Sequence, residues 1–199
     1  MKFASLFSGF GLADIGAMQA GYAPVYACEI DPQIADVYRR NIGDHVQVCD
    51  VREADVPTDV DLLHASPVCK SFSRANTSGK EHADDIATAQ ATADLIRSVR
   101  PRAVTVENVR AYAKSESLRR ITAALDELGY WWVTDILDAS DYGVPQNRVR
   151  LILRARRDGM MIAPIAESTE RLSWDGAIAD LIDDLPDTQL ARWQLKRMP

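Results

Sequence analysis

Apolar and polar positions alternate along the chain in two periods, a short one typical of strands and a longer one typical of helices. Short runs of apolar, β-branched and aromatic residues end at glycine, proline, serine or aspartate, as buried strands do. These runs predict strands at 2–7, 24–30, 45–50, 60–65, 102–109, 130–137 and 148–155. Helical spacing between and after them predicts helices at 12–20, 32–41, 84–99, 117–128 and 174–184.

The order of these elements predicts the fold class. Strands that alternate with helices favour an α/β fold with a mainly parallel sheet and helices on both faces. The strands at 130–137 and 148–155 follow each other without a helix, so we expect an antiparallel hairpin at one edge. The patterns weaken beyond Gly159. We therefore expect one main domain over 1–159 and a C-terminal extension over 160–199.

Composition narrows the class of protein further. The apolar runs are far shorter than the roughly 20 residues that span a bilayer, and the first residues lack the apolar core of a signal peptide. The chain has 3 cysteines and no C-x-x-C pair, which argues against a disulfide framework. We expect a cytoplasmic protein without a membrane partner, and we predict no metal site.

The charge distribution limits what the chain can bind by itself. The net charge is −6, although nucleic-acid binders gain much of their affinity from positive groups that contact phosphates. Five arginines do fall within 148–157, while acids concentrate in 29–61 and 167–187. The chain alone therefore has too little positive charge to hold a duplex well.

A glycine turn, FSGFGL at 7–12, joins the first predicted strand to the first helix. Such a turn lets a ligand approach the backbone and the helix N-terminus. Glu29 and Asp50 end the next two strands at the same edge, where they can accept hydrogen bonds from a ribose and from an adenine amino group. An ordinary tight turn and helix-capping acids are the alternative interpretation. The combination favours an adenosine-bearing cofactor, and the lack of G-x-x-x-x-G-K-[ST] disfavours ATP.

A thiol and a carboxylate follow the fourth and fifth strands. Cys69 lies in the segment SPVCK at 66–70, and Glu107 lies at the end of the strand 102–109. The carboxyl ends of parallel strands face one crevice, so we expect the two groups to converge there. We then expect Cys69 to be a nucleophile, with a pKa that is lowered by Lys70 or by an arginine. We expect Glu107 to act as an acid.

The alternative for Cys69 is a buried structural thiol. We give that interpretation to Cys28 and Cys49, which fall inside predicted strands, and we expect His64 to be a core histidine.

Two arginines follow in QNRVR at 146–150. Arg148 and Arg150 are two residues apart on an extended segment, so their side chains share one side and can contact a substrate oxygen or a phosphate. The alternative is an edge strand protected by charge.

Together these stretches resemble the DNA (cytosine-5)-methyltransferase family. FSGFG is similar to its cofactor glycine motif, SPVCKSFS to its nucleophile motif, ENV to its glutamate motif, and QNRVR to its Gln-x-Arg-x-Arg motif. All occur in the family's order over residues 3–152. The resemblance implies a Rossmann-like fold that binds S-adenosylmethionine and methylates C5 of a cytosine flipped out of double-stranded DNA. The tRNA-methylating branch and, more remotely, a nicotinamide-dependent oxidoreductase are alternatives.

The resemblance also implies a role for each matching residue. Cys69 adds to C6 of the base, Glu107 hydrogen-bonds N3 and the exocyclic amine, and Arg148 and Arg150 hold the base or its phosphate. The implied cofactor-binding residues are Phe7, Ser8, Gly9, Phe10, Gly11, Leu12, Glu29, Ile30, Asp50, Val51 and Pro67.

Two features depart from the family pattern. The nucleophile motif is usually Pro-Pro-Cys-Gln, whereas Val68 and Lys70 flank Cys69 here. Nothing after the arginine pair resembles the family's target-recognition region and last two motifs. We therefore expect a catalytic half that a second polypeptide completes, or alternatively a cofactor-binding relic or partner-binding module without activity.

Overall fold

The computed structural model of the chain describes residues 1–72, 80–168 and 171–184. It divides into two compact units. The first comprises Met1–Asp138 and Val149–Ala166, and the second comprises Ala139–Arg148 and the described part of Glu167–Pro199. The predicted boundary between 1–159 and 160–199 remains a prediction.

The first unit contains the sheet and the long helices. Within the described ranges, its strands are β1 (Lys2–Leu6), β2 (Ala23–Glu29), β3 (Val46–Val48), β4 (Leu62–Ala65), β5 (Ala103–Val109), β6 (Trp131–Asp138) and β7 (Val149–Arg156). Its helices are α1 (Leu12–Gln19), α2 (Pro32–Asn41), α3 (Ala83–Val99) and α4 (Glu116–Glu127). None of the helices in these ranges is long and apolar enough to cross a membrane.

The strands form one mixed sheet in the order β3-β2-β1-β4-β5-β7-β6. Strands β1 to β5 are parallel, whereas β7 is antiparallel to both β5 and β6. The predicted α/β fold with an antiparallel edge is therefore confirmed. Because β1 lies between β2 and β4, the strand order reverses beside it, and the loops after β1 and β4 diverge around a crevice.

Helices cover both faces of the sheet, as predicted. Successive residues of a strand face opposite sides. In β2, Tyr26 and Cys28 belong to the larger core, which includes Ile96 of α3. Ala27 between them belongs to a second core with Tyr38 of α2. Helices α2 and α3 therefore lie on opposite faces.

Local capping fixes where α2 and α4 begin. The Asp31 side chain accepts hydrogen bonds from the backbone N–H groups of Gln33 (2.8 Å) and Ile34 (3.3 Å). The Ser115 hydroxyl accepts one from Leu118 N–H at 2.8 Å. Each cap satisfies donors that the helix leaves unpaired and stabilises it by about 1 kcal/mol.

Two predicted elements are shorter than expected. The strand predicted at 45–50 covers only Val46–Val48, because Asp50 accepts a hydrogen bond from Arg52 N–H and starts a 3₁₀ turn. The helix predicted at 174–184 covers only Trp174–Ala177 and is followed by a 3₁₀ turn at Ile182–Asp184. Trp174, Leu181 and Ile182 are exposed, and none of the described residues in 174–184 is buried, so no packed face stabilises a longer helix.

Candidate active site

The glycine loop after β1 follows a left-handed backbone. Phe7, Gly9 and Gly11 have φ values of 58°, 55° and 86°. A side chain on Gly11 would come within 2.7 Å of Ile42 and 3.0 Å of Tyr38, so this position requires glycine. Phe7 is not a glycine, and such strained residues concentrate at functional sites.

Glu29 is held by the glycine loop and by the start of α2. Gly9 N–H donates to Oε2 and Asp31 N–H donates to Oε1, each at 2.9 Å. The residue is only 8% exposed. Each carboxylate oxygen keeps a further lone pair, so Glu29 can still accept a hydrogen bond from a ligand hydroxyl.

Asp50 caps the short 3₁₀ turn Val51–Glu53, as the alternative interpretation expected, and it also pairs with the Arg52 side chain. Its Oδ1 accepts hydrogen bonds from Arg52 N–H at 2.9 Å and from Arg52 Nε at 2.8 Å. The hydrogen bond from the Arg52 side chain lowers the pKa of Asp50, so the carboxylate is charged. Arg52 also reaches Asp84 at 3.4 Å.

Glu29 and Asp50 border one cleft at the carboxyl ends of the parallel strands, with a volume of about 130 Å³. Five predicted cofactor residues line it: Phe7, Glu29, Ile30, Asp50 and Val51. The nucleophile loop contributes Val68 and Lys70 to the same wall. The cleft therefore connects the predicted cofactor residues with the loop that contains Cys69.

Other predicted cofactor residues differ in exposure. Ser8 is buried, and among the described residues its hydroxyl has no hydrogen-bond partner. Phe10 and Leu12 are exposed, whereas Pro67 is buried.

The backbone around Cys69 is fixed on both sides. Asn108, which is 2% exposed, donates from Nδ2 to the Pro67 carbonyl at 2.9 Å. Ser71 N–H donates to Oδ2 of the buried Asp85 at 2.9 Å. Cys69 thus lies between two anchored positions.

Glu107 lies between the nucleophile loop and β7. The Ser66 hydroxyl donates to Glu107 Oε2 at 2.7 Å, and Arg150 Nε lies 3.0 Å from Oε1. Arg150 pairs in register with Val109, two residues after Glu107, so the ion pair joins diagonal neighbours on one face of the sheet.

The Cys69 thiol is not activated in the free protein. Burial raises its pKa, and the negative charges of Glu107 and Asp85 raise it further. Arg150 lowers the pKa, as expected of a nearby arginine, but the net direction is upward. The thiol is therefore protonated at neutral pH, contrary to the expectation of a lowered pKa.

The other thiols and His64 were expected to be structural. His64 Nδ1 lies 2.9 Å from the Thr105 hydroxyl, and burial lowers the pKa of the imidazole to about 4. Cys28 is buried in β2, as expected. The expectation is wrong for Cys49, which lies beyond the end of the shortened β3 and is partly exposed.

The sequence motifs and the arrangement of the cleft beside the Cys69 loop agree with one protein family. The profile of the C-5 cytosine-specific DNA methylases matches residues 1–197 of the chain.

The chain belongs to the C-5 cytosine-specific DNA methylase family. Type II methyltransferase M.XorII of Xanthomonas oryzae pv. oryzae is 32% identical over 203 residues, which cover 92% of this chain and 46% of that protein. Type II methyltransferase M.HhaI of Haemophilus parahaemolyticus is 28% identical over 205 residues, which cover 99% of this chain and 61% of that protein. The chain thus spans about half the length of these curated relatives.

A solved structure confirms the fold of this methylase family member. The Dnmt2 methyltransferase of S. pombe has a TM-score of 0.67 and 22% identity. The match covers 82% of this chain and 51% of that one.

In this methylase chain, an ion pair joins Glu107 to Arg150 and both charges act on the Cys69 thiol, whereas Arg148 stays a prediction. Arg148 belongs to the second unit and lies directly before β7. Sequence reasoning missed Asp85, the pairing of the Arg52 side chain with Asp50, and the hydrogen bond from Asn108 to Pro67. Asn108 had a detectable signal, since a polar residue beside Glu107 interrupts an otherwise apolar strand end.

Proposed function

We propose that this chain is the catalytic half of a DNA cytosine-5 methyltransferase, which transfers a methyl group from S-adenosylmethionine to C5 of a cytosine. One observation contributes most: the loop of Cys69 forms part of the wall of the cleft that Glu29 and Asp50 line. A nucleophile and a cofactor site that share a wall can act on one base.

The cleft residues fit the cofactor. Glu29 has free lone pairs for the ribose hydroxyls, and Asp50 is a charged acceptor for the adenine amino group. Ile30 is 64% exposed at this cleft and offers an apolar surface to the adenine ring. The Ser8 hydroxyl in the glycine loop, which has no hydrogen-bond partner within the described ranges, is a further polar group for the ligand.

S-adenosylmethionine, when bound, supplies the methyl group as an electrophile. Cys69 gives up its proton to solvent water, and its sulfur forms a bond to C6 of a flipped-out cytosine, which makes C5 nucleophilic. Glu107 hydrogen-bonds N3 and the exocyclic amine and so stabilises the electron density that moves onto the ring. After C5 takes the methyl group, solvent water takes up the C5 proton, the C5–C6 double bond re-forms, and the C6–sulfur bond breaks to release Cys69 as a thiolate.

Arg150 has two tasks in this scheme. It holds Glu107 through the 3.0 Å ion pair, and its charge lowers the pKa of Cys69.

The apolar face of α1 supports a second half. Leu12, Ile15 and Met18 recur every three residues and are exposed, with Leu12 at 77%. Residues at this spacing share one face of a helix. Since the chain spans about half of its relatives, we propose that a second polypeptide segment covers this face and provides the contacts that read double-stranded DNA.

Trapping of the covalent bond tests the catalytic role of Cys69. A cytosine with fluorine at C5 lacks the proton that must leave, so methyl transfer leaves the base attached to the sulfur. A single-stranded oligonucleotide with 5-fluorocytosine presents an unstacked base and does not depend on a DNA-reading half.

We expect an S-adenosylmethionine-dependent complex that survives denaturation and whose mass places the oligonucleotide on Cys69. The matched variant Cys69→Ser should give none. No adduct at high oligonucleotide concentration, or an equal adduct in Cys69→Ser, would contradict the catalytic proposal and favour a cofactor-binding protein without activity.

A further inference from the structure

Two cysteines face each other in the wall of the cleft. The sulfurs of Cys28 and Cys49 lie 3.0 Å apart, and the Cys28 thiol donates to the Cys49 carbonyl at 3.2 Å. Both residues line the cleft. They are 21 positions apart in sequence, and the parallel pairing of β2 with β3 brings them together.

The backbone holds this pair in place. Cys28 pairs with Gln47 in the ladder, and Cys49 N–H donates to the Glu29 carbonyl at 3.1 Å, which extends the ladder beyond β3. Because Gln47 and Cys49 are two residues apart, Cys49 lies on the same side of the sheet as Cys28. The closeness of the sulfurs therefore follows from strand register.

The two thiols differ in their access to solvent. Cys28 is 2% exposed, and burial together with the neighbouring Cys49 raises its pKa. Cys49 is partly exposed at the cleft. A small oxidant that enters the cleft meets Cys49 first, and Cys28 is within reach to complete the reaction.

We propose that Cys28 and Cys49 form an oxidation-sensitive dithiol, which hydrogen peroxide converts into a disulfide inside the cleft. The Cys49 sulfur attacks one peroxide oxygen, the O–O bond breaks, and the released hydroxide takes up the Cys49 proton as water. The Cys28 sulfur then attacks the Cys49 sulfenic acid, and the S–O bond breaks with loss of a second water that contains the Cys28 proton. Two thiols and one peroxide thus give one disulfide and two waters.

The disulfide also affects the ligand, a consequence that rests on the proposed cofactor role of the cleft. Cys28 directly precedes Glu29, and Cys49 directly precedes Asp50. A disulfide requires the sulfurs to approach from 3.0 Å to about 2.05 Å, so the wall of the cleft beside both carboxylates changes shape. We expect oxidation to weaken S-adenosylmethionine binding at least tenfold, and reduction with dithiothreitol to restore it.

Peptide mapping tests the disulfide directly. The reduced chain is treated with hydrogen peroxide, alkylated and digested with trypsin, and the expected product joins peptide 3–39 to peptide 41–52. The variant Cys49→Ser should form no such product. In Cys28→Ser, Cys49 should stop at the sulfenic acid, which dimedone labels. Oxidation of the unmutated chain without this product, or a bridge to Cys69 instead, would overturn the proposal.

Binding tests the consequence, with the affinity of each protein compared before and after the same peroxide treatment and with Cys49→Ser as the control for oxidation elsewhere. Peroxide should lower the affinity of the unmutated chain for S-adenosylmethionine and leave that of Cys49→Ser at its own untreated value. Unchanged affinity after complete crosslinking would overturn the effect on the ligand. If the reduced chain does not bind S-adenosylmethionine at all, the proposed cofactor role fails, while the peptide map still decides the disulfide.

Discussion

Replacement of Gly11 by alanine tests how the glycine loop is packed. The new methyl group would lie 2.7 Å from Ile42 Cγ1 and 3.0 Å from Tyr38 Cδ2. Tyr38 belongs to α2, and Ile42 caps the end of that helix. Because α2 and its neighbours are packed there, one of these side chains must move.

Two contributions add up to the expected loss of stability in Gly11→Ala. Alanine in the left-handed region, at φ 86°, costs about 1–2 kcal/mol. Overpacking by one methyl group costs about 1–3 kcal/mol more. Gly11→Ala should therefore lower the free energy of unfolding by about 2–5 kcal/mol.

Two further glycines separate the backbone cost from the packing cost. Gly9 also has a positive φ, of 55°, but an added methyl group there meets no atom within 4 Å, so Gly9→Ala should show only the backbone cost of about 1–2 kcal/mol. Gly16 lies inside α1 with open space and no positive φ, so Gly16→Ala should stabilise the chain by about 0.5–1 kcal/mol.

Urea unfolding followed by circular dichroism ranks the three variants. The structure predicts that Gly16→Ala is more stable than the unmutated chain, that Gly9→Ala is less stable, and that Gly11→Ala is the least stable. If Gly11→Ala is no less stable than Gly9→Ala, the close packing of Gly11 against Tyr38 and Ile42 is refuted.

Three other predictions concern the site and its support. The pKa of His64, about 4 when folded against an ordinary 6.5, means that only the unfolded chain binds the proton between these values. The free energy of unfolding therefore has its full value above pH 6.5 and falls by up to about 3 kcal/mol toward pH 4. His64→Asn should flatten this decline, as measured by urea unfolding midpoints across this pH range. Glu107→Gln removes a charge that raises the pKa of Cys69, so iodoacetamide should alkylate Cys69 faster at pH 7.5; an unchanged rate measured by mass spectrometry would contradict this electrostatic assignment. Asn108→Ala leaves the Pro67 carbonyl without its donor and should cost about 1–3 kcal/mol in urea unfolding; a cost near zero would show that the bond does not support the loop.

Much of the fold was predictable because burial repeats with the period of each element. The strands show as apolar runs, and residues such as Asp31 and Gly21 mark where the chain turns. The convergence of Cys69 with Glu107 was predictable too, since parallel strands end at one edge. The antiparallel hairpin was expected, but nothing in the pattern indicated that β7 would lie between β5 and β6.

What the sequence could not provide depends on three-dimensional neighbours. The approach of Cys28 to Cys49 requires the register between β2 and β3, which two short apolar strands do not specify. The direction of the Cys69 pKa depends on burial and on Asp85, 16 positions away, which outweigh Arg150. The pairing of Asp50 with Arg52 depends on the turn that replaces the end of the predicted strand.

A calorimetric titration of S-adenosylmethionine into the 199-residue chain tests the central claim, that the cleft at the strand ends is a cofactor site. The variants are Asp50→Ala, within the cleft, and Asp59→Ala, an exposed acid whose partner is Lys2. We predict binding by the unmutated chain and by Asp59→Ala, and at least tenfold weaker binding by Asp50→Ala. No binding by the unmutated chain, or equal binding by all three, would contradict the assignment of the cleft.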